Sequence, residues 1–121
     1  MSERKQALEA LLAKVEAGEC DHGSFLQKWA SDGTYSAGCG VNAHKAYDGS
    51  LDAAKALHEA VLPDIGWEVY RTAKYPGMIP GSCTSPYKAI VGWGTQVSGH
   101  ADNPARAWLI AVLRALIAGY A

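Results

Sequence analysis

The segment "PARAWLIAVLRALIAGY", residues 104–120, limits what this chain can become more than any other. Asn103 supplies a capping side chain and Pro104 a preset first helical residue, so a helix begins here. Trp108, Leu109, Val112, Leu113 and Leu116 form its main apolar face, and Ile110 and Ile117 widen it. A helix that is apolar almost all round has to be covered on several sides. It is therefore either the central helix of a core or part of a subunit interface. The second option implies a homodimer or higher homo-oligomer.

The rest of the chain supplies partners for that helix. In residues 3–17, Leu8, Leu11, Leu12 and Val15 make one apolar stripe, with Gly18 placed as a stop. Ser24 and Gln27 form a capping box that opens a short helix to about Ser31, with Phe25, Leu26 and Trp29 buried and Gly33 as its stop. Residues 32–48 read as an irregular loop, because "SAGCG" offers no packing face. In "GSLDAAKALHEAVLPDIGW", Ser50 caps a helix and Asp52 suits its positive end. Ala54, Leu57 and Val61 share a face with His58, and Pro63 ends the helix.

Ile65 to Ala73 then reads as a strand, with Trp67, Val69 and Arg71 on one side and Glu68, Tyr70 and Thr72 on the other. Residues 74–87, "KYPGMIPGSCTSPY", form a long Gly- and Pro-rich connection, a kind that often carries function. "YKAIVGWGTQV", 87–97, reads as a second strand, with Gly92 and Gly94 marking either a bulge or a close approach of a helix, a backbone or a ligand. Helices and antiparallel strands in this order predict a single α+β domain, residues 1–121, with helices packed on a small antiparallel sheet.

The bulk numbers agree with one domain. A chain of 121 residues with 49% hydrophobic and 19% charged residues has enough apolar material for one core. A net charge of −1 gives no global attraction for a nucleic-acid polymer or an anionic membrane. No apolar run suits a membrane span, and "MSERKQALEA" lacks a signal-peptide core, so a cytoplasmic protein is expected. Cys20, Cys39 and Cys83 are an odd number, which fits a reducing compartment.

Two segments, "AYDGSLDAAKALHEAVLPDIGW" and "NPARAWLIAVLRALIAGY", resemble small proteins of phages and prophages, especially of alphaproteobacteria. They are also similar to the phage ABA sandwich domain, a helix, a small antiparallel sheet and a closing alanine- and leucine-rich helix. The resemblance covers about residues 43–118 and an amphipathic N-terminal helix. It implies a fold, the host cell's cytoplasm and a phage accessory role, and it brings no catalytic residue with it. The chain departs from the pattern in the extra Cys and His of residues 20–44 and in a longer 74–86 connection.

Four kinds of chemistry remain to be weighed. Cys20, His22, Cys39 and His44 are zinc-type ligands, but a C-x-H pair lacks the spacing of structural zinc sites, so no metal or other cofactor is expected. Cys39 and Cys83 are possible nucleophiles with His44, His58 or His100 as base, yet no local pattern ties a thiol to a histidine, and no enzyme is expected. The helix starts at 49–50 and 102–106 offer free amides, and Arg106 can grip a phosphate, but Asp52 and Asp102 oppose an anion. Trp67, Tyr70, Tyr75, Tyr87 and Trp93 lie in or beside the strands, with Trp67 and Trp93 expected mainly to pack in the core.

Arg71, Lys74, Tyr75, Tyr87 and Lys88 gather around the long connection. With Arg106, they form the expected ligand-binding set, suited to a small phosphorylated ligand that contains a base. The function that follows is a non-enzymatic phage protein that sequesters a nucleotide-derived signal of host defence. The competing expectation is a structural or protein-interaction accessory of phage development that needs no small ligand.

Overall fold

The computed structural model describes residues 3–17, 37–71, 87–92, 96–101 and 103–118. Over these residues the elements are α1 (Glu3–Ala17), α2 (Ala37–Tyr47), α3 (Leu51–Val61), β1 (Trp67–Arg71), β2 (Tyr87–Val91), β3 (Val97–Ala101) and α4 (Pro104–Ala118). The strands form one antiparallel sheet in the order β1-β2-β3. This is the expected α+β arrangement. The helix expected at 24–31 and the 74–86 connection lie outside the described residues.

The apolar helix is the centre of the molecule. From Ala105 to Leu116 every residue of α4 is buried except Arg106 and Arg114. The sheet covers one side of it, and α1, α2 and α3 contact the others. Its hydrophobicity is thus accounted for within one chain and carries no argument for a second copy. Leu8, Leu11 and Val15 of α1 join Leu57, Leu62, Leu109 and Leu113 in the core. Arg114 stitches three elements together: it donates from Nη1 to the Ser98 carbonyl at 2.7 Å and pairs from Nη2 with Glu16 at 2.5 Å.

The alternation of the strands explains the rest of the layer. Ala89, Val91, Gly99 and Ala101 are buried toward α4, while Lys88, Ile90, Ser98 and His100 occupy the opposite parity. Close approach occurs at Gly99, where a Cβ would collide with the Ala107 carbonyl oxygen and stand 2.7 Å from the Ala111 nitrogen. Any side chain there would push α4 off the sheet. The sequence offers Gly92 and Gly94 as a bulge or as such a contact, and Gly94 lies outside the described residues. Gly92 instead ends β2 with φ +124°, its N–H donating to Gly66 O at 3.0 Å.

Two expectations need correction. The single strand over 87–97 is two strands: β2 stops at Val91 and β3 starts at Val97. The irregular stretch 32–48 contains α2, because Ala43, Ala46 and Tyr47 make a buried stripe whose small residues let the helix pack closely on α3 and α4. Gly49, at φ +114°, terminates α2. The Ser50 N–H donates to Lys45 O at 2.9 Å and the Gly49 N–H to Ala46 O at 3.0 Å, a paired closure that glycine in the left-handed region permits. Ser50 then caps α3, its Oγ accepting from the Ala53 N–H at 3.2 Å.

Candidate functional site

Helix capping brings two helix starts to the open edge of the sheet. Asn103 caps α4, with Oδ1 accepting from the Arg106 N–H at 2.7 Å. The start of α3, the edge strand β1 and the start of α4 surround a surface pocket of about 450 Å³. From α3 come Leu51, Asp52 and Lys55, and from α4 come Pro104 and Trp108. The sheet contributes Trp67, Val69 and Tyr70 from β1 and Tyr87 from β2. The lining is therefore mostly apolar and aromatic, with one acidic and one basic side chain one turn apart on α3.

Three large apolar side chains are exposed among the described residues, and all three line this pocket. Leu51 and Trp67 are each 45% exposed and Tyr70 is 38% exposed. Trp67 packs on Trp108 with ring centroids 4.2 Å apart and planes inclined by 32°. Trp67 is thus not the buried core residue that the alternation suggested. It covers the inner tryptophan while nearly half its own surface faces outward.

Behind the pocket sits His58, 1% exposed. Its Nε2–H donates to the Ile65 carbonyl at 2.8 Å, and its Nδ1 accepts from the Trp108 indole Nε1–H at 3.1 Å. An indole nitrogen only donates and a carbonyl only accepts, so these two partners select one neutral tautomer. Burial pushes the His58 pKa below the usual histidine value, against the opposing pulls of the Ile65 carbonyl and Glu59. With both ring nitrogens engaged, His58 is not the free general base weighed from the sequence.

Of the expected ligand-binding residues, Tyr87, Lys88 and Arg106 have described side chains, and of these three only Tyr87 lines the pocket. Arg71 ends β1 opposite Tyr87, but its side chain, like all of Lys74 and Tyr75, lies outside the described residues. Lys88 stands between Tyr70 and His100 in the register, on the face away from α4. Arg106 is occupied elsewhere: its Nε donates to the Tyr47 carbonyl at 3.0 Å and its guanidinium lies 4.0 Å from the Tyr47 ring centre. It ties the start of α4 to the end of α2 and does not line the pocket.

Apart from Tyr87, none of the pocket residues belongs to the expected ligand-binding set, Leu51, Lys55, Trp67, Tyr70 and Trp108 among them. One signal for them existed. Leu51 extends the stripe of Ala54, His58 and Val61 by one turn toward the helix start, and a large apolar side chain there needs either a cover or a ligand. Of the zinc-type ligands, Cys39 and His44 both fall on α2, while Cys20 and His22 lie outside the described residues, as does Cys83. Among the described residues there is no group of three potential metal ligands, and no helix is long and apolar enough to cross a membrane. No family model, curated protein or solved structure matches this chain.

Proposed function

We propose that this protein holds a small planar ligand, one bearing a nucleobase, in the pocket at the β1 edge and does not convert it. The observation that carries the reading is the convergence of Leu51, Trp67 and Tyr70 on one concavity backed by Trp108. Exposed apolar side chains scattered singly over a surface have no such meaning. A volume of about 450 Å³ suits a compact organic ligand. Stacking on an exposed indole or phenol is sequence-tolerant and contributes roughly 1–3 kcal/mol per base. Lys55 offers a cation at the rim for a phosphate, with Asp52 beside it for a donor edge of the base.

The engaged ring nitrogens of His58 favour holding over turnover. In the wider reading the ligand is a nucleotide-derived signal of host defence, sequestered in the cytoplasm of an infected cell. The test is calorimetry against adenosine, mononucleotides, cyclic di- and trinucleotides and cyclic ADP-ribose species. Saturable binding is expected for at least one, lost in Tyr70→Ala without loss of fold, with the ligand recovered chemically intact after heating. Absence of binding across the set removes this reading. A pocket that instead takes an apolar side chain of a protein partner would support the accessory role.

A further inference from the structure

We propose that His58 couples this pocket to a proton: Trp108 is held in place as the pocket's inner wall only while the imidazole is neutral. The inference rests on the binding role given above, but its physical basis is separate. His58 uses its one donor on Ile65 O and its one acceptor on Trp108 Nε1–H. A second proton would go on Nδ1 and turn the acceptor into a donor. Two N–H groups would then face each other across 3.1 Å, in a place where His58 is 1% exposed and little water can intervene. The indole has no acceptor with which to accommodate the change, so its link to His58 breaks. Because Trp67 lies 4.2 Å from Trp108, ring centre to ring centre, any displacement of the inner ring passes to the outer one.

The groups around the imidazole do not cancel this effect. Trp67 faces it from β1 with ring centroids 6.3 Å apart, and Trp108 from α4 at 5.8 Å. Among the described residues, the charge that acts on it is Glu59, on its own helix. Burial outweighs Glu59 and the Ile65 carbonyl, so the neutral form is favoured in the fold. The sign follows. Above a pH of about 6.5, the ordinary histidine value, His58 is neutral in both folded and unfolded chains and its contribution to stability is fully present. As pH falls toward the lower folded value, the unfolded chain takes up the proton first and that contribution is lost. A ligand that needs Trp108 in place opposes protonation of His58, and protonation weakens that ligand by the same factor.

The test is an NMR titration of the full chain from about pH 8 to about pH 5, the range in which histidine changes charge. It follows the His58 ring and the Trp108 indole N–H while circular dichroism reports the fold. His58 is expected to titrate below 6.5 in a folded protein, with the Trp108 signal moving at the same midpoint. An indole signal that ignores the His58 titration overturns the proposal, and so does unfolding at that midpoint. In Trp108→Phe the ring remains but the donor is gone, so the His58 midpoint should rise; an unchanged midpoint also overturns it. His58→Gln, which carries no titrating ring, should abolish the indole shift.

Adenosine, which has no group titrating in this range, serves as the probe of coupling. If it binds, its affinity should fall by up to about tenfold per pH unit below the His58 midpoint. Affinity independent of pH through that midpoint would contradict the coupling. If neither adenosine nor the nucleotides bind at any pH, the ligand-binding reading fails, while the His58–Trp108 titration still decides the switch.

Discussion

The two edges of the sheet meet α4 in opposite ways. At β3, Gly99 has no side chain, and the helix backbone comes so near that a Cβ would collide with Ala107 O and Ala111 N. At β1, two tryptophan rings stand between strand and helix, and Trp67, Tyr70 and nearby Leu51 stay substantially exposed. One helix therefore leans onto β3 and stands away from β1. The wedge this opens is the pocket, so the close contact on one edge and the concavity on the other have a common origin. A sheet packed evenly across its width would have no such site.

The comparison can be broken first in the centre. Leu113→Ala, at the fully buried middle of α4, should cost about 2–5 kcal/mol in denaturant unfolding, and Leu57→Ala a similar amount. A loss below about 1 kcal/mol would show that α4 does not organise the core. Next comes the closed edge. Gly99→Ala should cost about 1–3 kcal/mol through overpacking, because the colliding atoms are helix backbone and not the end of a flexible side chain. A neutral result would mean that α4 does not lie as close to β3 as described. The open edge should respond least. Trp67→Ala should cost about 1–2 kcal/mol, less than a fully buried aromatic, because 45% of the residue is already exposed. A larger loss would mark Trp67 as core and the pocket as incidental.

The helices were more legible in the sequence than either edge of the sheet: neither the contact at Gly99 nor the pocket at β1 was marked by a local pattern. The stripes of α1 and α3 and the caps at Ser50 and Asn103 are local features, and each appears where its spacing indicated. The helix α2 escaped notice because its small residues resemble a loop. Yet Gly49, just before Ser50, is the kind of stop that marks a preceding helix. The hairpin between β2 and β3 was hidden because alternation of side chains continues on paper through Gly92, where the chain leaves the strand. Of the site, only Tyr87 was anticipated within the described pocket. The pairing of His58 with Trp108 joins residues 50 positions apart, and the stacking of Trp67 on Trp108 joins a ring that strand alternation assigned to the core with one from the apolar face of a helix. Arg106 misled for a physical reason: a guanidinium fit for phosphate is equally fit for a carbonyl and an aromatic ring, and Tyr47 supplies both.

The central claim is that the open edge at β1 receives a planar ligand. Its most direct test is the pattern of tryptophan indole N–H signals during titration with nucleosides and cyclic nucleotides at about pH 7.5, above the ordinary histidine range. The account predicts that Trp67 and Trp108 shift together and saturably. No saturable shift of Trp67 or Trp108, or a response confined to the separate groove of Glu9, Leu12 and Arg114 between α1 and α4, would contradict it.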